Sequence, residues 1–128
     1  MIERILVDTD VMVDYLRGYA AAVALIKKHA DHIILSSITV AELYVGVRDG
    51  QEREILDNVI SLFRVVSVTA QIAQAGGLLK RDFGKSHGVG LADAIIAVTA
   101  QSENAKVCTL NTKHYPMLAG IRPAYIKK

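Results

Sequence analysis

Cysteine occurs once, at Cys108, so the chain can form neither an internal disulfide nor a cysteine-based zinc cluster. Its setting, Lys106-Val107-Cys108-Thr109-Leu110, reads as a buried strand. Long apolar runs are missing as well: residues 20–26 and 94–100 are far shorter than the roughly 18 residues of a membrane-spanning helix. A soluble protein with no membrane role is expected. The opening Met1-Ile2-Glu3-Arg4-Ile5 has neither the apolar core nor the small-residue cleavage site of an export signal, which points to a cytoplasmic location. Acidic residues stop at Glu103, whereas Lys106, Lys113, Arg122, Lys127 and Lys128 follow it. A net charge of +2 does not announce a nucleic-acid binder, but a fold gathering this basic end onto one face would attract polyanions.

What is present is enough apolar material, 52% of 128 residues, for one well-filled core, so a single domain spanning 1–128 is expected. Strand-like and helix-like segments alternate throughout. Ile5-Leu6-Val7 makes a buried strand over residues 2–7 that stops at Asp8-Thr9-Asp10. Helices follow up to Gly18 and over residues 20–30, then a strand over 32–35 and a helix capped by Ser36, Ser37 or Thr39 that runs to about Arg48. Ile55, Leu56, Val59, Ile60 and Phe63 form the apolar stripe of an amphipathic helix over 51–63. The pattern continues with a strand over 64–68, helices over 70–83 and 91–103 separated by a flexible loop carrying Gly84, Gly88 and Gly90, and strands over 107–110 and 122–126 with a short helical turn between them. Gly76-Gly77 inside a helix costs roughly 1 kcal/mol per glycine relative to alanine, so close packing or a kink is expected there. The alternation implies a three-layer α/β/α fold with a central parallel sheet, whose ligand site lies beyond the carboxyl ends of the strands.

Asp8 ends the first strand, Glu42 falls near the start of the helix after the second, and Asp93 opens the helix leading to the fourth. Each has a structural alternative as a helix cap or a dipole partner. Asp93, however, sits in Gly90-Leu91-Ala92-Asp93-Ala94-Ile95-Ile96-Ala97, where an unpaired carboxylate is expensive. Were the three acids to converge to about 5 Å, each pair would repel by roughly 3 kcal/mol at an effective dielectric of 20. A divalent cation relieves that repulsion, and oxygen-only ligands select hard ions such as Mg²⁺ or Mn²⁺, which act on phosphate esters.

The segment from Ile5 to Leu16, centred on Asp8-Thr9, resembles the opening motif of PIN domains. Ser36-Ser37-Ile38-Thr39-Val40-Ala41-Glu42-Leu43 is similar to the second motif, the Gly90 to Ala97 segment to the third, and Thr109-Leu110-Asn111-Thr112-Lys113-His114-Tyr115 to the closing one. The motifs stand in family order and cover essentially the whole chain. The resemblance implies an acidic pocket in which Asp8, Glu42 and Asp93 bind Mg²⁺ or Mn²⁺ and hydrolyse RNA, with Thr9, Asn111 and His114 in supporting or substrate-contacting roles. It further implies a VapC-like toxin, homodimeric and silenced by a small protein antitoxin whose tail fills the groove beside the site. Asp10 departs from the usual Asn or Ser, and His114 stands where many members carry a fourth acid. The alternatives are a non-catalytic PIN scaffold binding RNA or protein, and a haloacid-dehalogenase-type phosphohydrolase suggested by Asp8-Thr9-Asp10.

Overall fold

A computed structural model describes residues 3–127. The chain runs through β1 (Arg4–Val7), α1 (Thr9–Leu16), α2 (Ala20–Lys28), β2 (Ile33–Ser36), α3 (Ser37–Val45), α4 (Gln51–Ile60), β3 (Arg64–Val66), α5 (Ala70–His87), α6 (Leu91–Ser102) and β4 (Ala105–Cys108). Single 3-10 turns occupy Ala30–His32 and Thr112–His114. The strands form one parallel sheet in the order β3-β2-β1-β4.

Alternation along the strands divides the core between the two faces of this sheet. Val7, Ile33 and Leu35 point to the layer that also buries Val11, Met12, Ile26, Leu43 and Leu56 from α1 to α4. Leu6, Ile34 and Val107 point the other way, onto Ile96, Ala97 and Ala100 of α6 and the ring of Tyr115. The expected three layers are therefore present. Local signals set the helix starts: the Ser36 hydroxyl accepts the Ile38 N–H at 3.2 Å, and the Thr69 hydroxyl accepts that of Ile72 at 3.1 Å. Of the three candidate caps it is Ser36 that starts α3, which puts Glu42 in the second turn of that helix.

Several boundaries differ from expectation. Ile2, expected in the first strand, and Lys128, counted in the basic tail, lie outside the described residues. α5 continues through Gly84 to His87, where Gly88 closes it with a φ of +64°. Lys80 explains the continuation: its stem packs over Gly84, and its Nζ donates to the Val89 carbonyl at 2.7 Å, tying the helix end to a loop whose Val89 is fully buried. β4 is offset toward the N-terminus, which leaves Thr109 just beyond the sheet. Residues 122–126 form no strand: Pro123 has no N–H to donate, and among the described residues the segment makes one backbone bond, from Ala124 N–H to the Thr109 carbonyl at 2.8 Å.

That last segment is instead anchored by side chains on α1. Tyr125 Oη donates to Asp14 Oδ2 at 2.5 Å, and Lys127 Nζ to Asp14 Oδ1 at 2.7 Å. Tyr125 also packs against Tyr19, over whose ring the Lys127 ammonium stands at 5.3 Å from the centroid. The basic end is therefore partly neutralised, while Lys106 and Arg122 line a cavity of about 430 Å³ with His29 and His32.

Two tests follow from this packing. A Cβ added at Gly76 would stand 2.9 Å from Ile95 Cγ1 and 3.3 Å from Ile95 Cα, whereas one at Gly77 would meet nothing within 4 Å. Gly77→Ala is expected to raise stability by about 0.5–1 kcal/mol, and Gly76→Ala to lower it, because overpacking costs roughly 1–3 kcal/mol. Equal shifts in the two melting curves would refute the close α5–α6 contact. The second test concerns Asp14, whose carboxyl is held below its ordinary value of 3.8 by the Lys127 and Tyr125 hydrogen bonds, against the opposing effect of burial. A carboxyl that titrates lower when folded stabilises fully above its unfolded value and loses that contribution as pH falls through the folded one. Asp14→Asn should thus cost about 1–2 kcal/mol at pH 7, with the gap to the parent closing below about pH 4. A gap independent of pH in denaturant titrations would contradict the ion pair.

Candidate active site

The parallel register of β1 and β4 pairs Val7 with Cys108, and one residue further on it sets Asp8 beside Thr109. Asp8 N–H completes the ladder to the Cys108 carbonyl at 2.9 Å, and its side chain then caps α1 by accepting the Thr9 N–H on Oδ1 at 2.7 Å. Its other oxygen, Oδ2, accepts from Thr109 Oγ1 at 2.8 Å and from Tyr115 Oη at 2.7 Å. Asp8 is 6% exposed, so these three donors replace the water that a buried carboxylate would lose.

Asp93 approaches from α6. At the third position of the helix its Oδ2 accepts the Gly90 N–H at 3.1 Å, and His114 Nδ1 lies 3.4 Å from the same oxygen. Oδ1 stands 3.5 Å from Tyr115 Oη, the phenol that donates to Asp8. Like charges about 6 Å apart repel by roughly 3 kcal/mol at an effective dielectric near 20. Burial, helped by the Asp8 charge, raises the Asp93 carboxyl above its ordinary value against the opposing pull of the Gly90 N–H and His114.

Glu42 is exposed on α3 and reaches this pair through Thr9, whose hydroxyl donates to Oε1 at 2.7 Å and lies 3.1 Å from the Thr39 hydroxyl. The structure therefore brings Asp8 and Asp93 together across one phenol and leaves Glu42 on the Thr9 side. Among the described residues no three of His, Cys, Asp and Glu form a ready-made ion-binding cluster. The donor chemistry nevertheless suits a hard cation. Mg²⁺ keeps several waters and is commonly held by one or two carboxylates, and Asp8 with Asp93 offers two, one buried and one half-buried.

Asp10 takes a different part. Its Oδ2 accepts from Leu110 N–H at 3.0 Å and from Asn111 Nδ2 at 3.3 Å, while Oδ1 accepts the Val11 N–H at 2.7 Å. It thereby pins the turn after β4, and Asn111 is committed to this turn by its side chain and by its N–H to Thr109 Oγ1 at 3.1 Å. Burial first, and then the charge of Asp8, raises the Asp10 carboxyl. The neighbouring Cys108 is half-buried, and burial pushes its thiol up to about 11, which leaves it unreactive at neutral pH. Sequence reasoning missed Thr109 and Tyr115 as members of the site; the available signal was their place in the closing motif.

Residues 5–117 match the PIN domain family. The chain is 36% identical over 124 residues to ribonuclease VapC10 of Mycobacterium tuberculosis, covering 94% of this chain and 92% of that protein. It is equally identical over the same length to ribonuclease VapC19 of that organism, covering 98% of it. Its fold superposes on a toxin–antitoxin complex from Klebsiella pneumoniae with a TM-score of 0.80 and 26% identity, over 94% of this chain and 97% of that one. With its motifs on the carboxyl ends of a parallel sheet and both comparisons spanning nearly its full length, the chain belongs to the PIN-domain family.

Proposed function

We propose that this protein is a Mg²⁺- or Mn²⁺-dependent endoribonuclease and the toxin of a toxin–antitoxin pair, acting as one PIN domain over 1–128. The observation that carries the reading is the Asp8–Asp93 pair, a buried and a half-buried carboxylate facing a common phenol beyond the ends of β1 and β4. Its kinship with VapC10 and VapC19, which are named as ribonucleases, supports the substrate class. Membership of the PIN family sets aside the haloacid-dehalogenase alternative, and the retained acidic pair speaks against a scaffold without activity.

Asp8 and Asp93 would hold the ion, with Glu42 completing the acidic set from the Thr9 side. When bound, the ion supplies water activation and offsets charge on the reacting phosphate. The chain's own part is to keep Asp8 fixed by its three donors, to place Asn111 and Thr9 at the rim, and to present His114 to a phosphate oxygen from beside Asp93. Isothermal titration with Mn²⁺ and cleavage of RNA with and without chelator test this assignment. Asp8→Asn and Asp93→Asn should each lower cleavage at least about 100-fold by analogy with the loss of a transition-state electrostatic contact. His114→Ala should slow cleavage while leaving Mn²⁺ binding unchanged. Undiminished cleavage in chelator, or parent-like activity of both aspartate variants, would defeat the reading.

The partner surfaces are read from what the fold leaves uncovered. Tyr15 and Tyr19 are used within the chain, against Phe63 and Tyr125. Leu62 is 72% exposed and Ile55 52%, however, and Val13, Leu16, Leu43 and Ile55 line a groove of about 610 Å³ that reaches Glu42. This groove suits an antitoxin segment, and the remaining apolar surface suits a second copy of the chain. Light scattering at micromolar concentration should give a dimer; a monomer there would remove the homodimer from the proposal.

A further inference from the structure

We infer that Tyr115 is a positioning residue for the ion site, its buried phenol holding the Asp8 carboxylate in place opposite Asp93 before a divalent cation arrives. This rests on the assignment of those two aspartates as ion ligands. Tyr115 is fully buried and is the largest side chain so enclosed, with its ring packed among Leu6, Ile34 and Ile96 of the sheet and α6. The hydroxyl at its tip therefore has little freedom, and it lies 2.7 Å from Asp8 Oδ2 and 3.5 Å from Asp93 Oδ1. Among the described residues no other tyrosine hydroxyl touches either carboxylate.

A phenol has one proton to give, and the shorter contact assigns it to Asp8. Asp93 thus meets the oxygen at the limit of hydrogen-bonding distance and keeps Oδ1 free of any close donor. Asp8 is likewise held by donors that leave ligating capacity on Oδ1, where only the Thr9 N–H is bound. The phenol fixes the direction of Asp8 and the Gly90 N–H that of Asp93, while using little of the capacity an ion would need. A ring anchored in the core keeps Asp8 in place beside Asp93, so part of the cost of orienting two repelling groups is met in the folded chain rather than at binding.

Tyr115→Phe removes only the hydroxyl and keeps the ring. In the metal-free full-length protein, isothermal titration with Mn²⁺ should show affinity weakened by about 10–100-fold, the usual range for loss of a ligand-orienting partner. Cleavage should need correspondingly more Mn²⁺ and recover toward the parent rate at saturating metal, which a merely misfolded variant would not do. Unchanged Mn²⁺ affinity, or slower cleavage with an unchanged dependence on Mn²⁺, overturns the inference. A parent that binds no Mn²⁺ overturns the assignment of Asp8 and Asp93, and this inference with it. If the variant does not fold, ring-fluorinated tyrosine in the parent retains the hydroxyl and gives a second reading. One of the five tyrosine fluorine resonances should then move on adding Mg²⁺, and none moving overturns the proposal.

Discussion

Asp8 sits where β1 stops, almost wholly out of water, and its carboxylate must find donors there. One comes from the next residue, the Thr9 N–H, and two come from residues about a hundred positions away, Thr109 and Tyr115. Two long-range bonds of this kind form only once β4 has paired with β1 and α6 has covered the far face, so the site is a product of the completed sheet. The same bonds hold the turn after β4 against the start of α1 and bring the His114 ring next to Asp93.

The acidic residues of α1 divide the work according to where the helix carries them. Asp8, at the cap, faces Asp93 across the phenol. Asp10, in the first turn, is spent on the Leu110 and Asn111 amides and so serves the backbone of the site. Asp14 lies on the far side of the helix and is neutralised by Lys127, which fastens the C-terminal segment over the sheet edge. Three carboxylates within seven residues avoid crowding because each is engaged by partners of its own.

Much of the architecture was legible in the order of residues. Strands such as Ile5-Leu6-Val7 and Ile33-Ile34-Leu35 are apolar on both sides because helices cover both faces, and the turn residues between the segments marked most boundaries. The failures have specific causes. Gly84 reads as a helix stop, but Lys80 covers it and holds the chain beyond it. Residues 122–126 have strand-like composition, but Pro123 and the pull of Asp14 on Tyr125 and Lys127 divert them from the sheet.

At the site, the sequence by itself determined which acids stand where a strand ends or a helix begins: Asp8 and Asp93 fall at element junctions that local capping chemistry fixes, whereas Glu42 lies in the second turn of α3. Which of them meet was decided by tertiary structure. The β1–β4 register places Thr109 beside Asp8, the burial of the Tyr115 ring carries its hydroxyl between Asp8 and Asp93, and Glu42 is held by Thr9. Neither hydropathy nor spacing encodes such contacts, because a hydroxyl at the tip of a core tyrosine looks like core until the sheet closes around it.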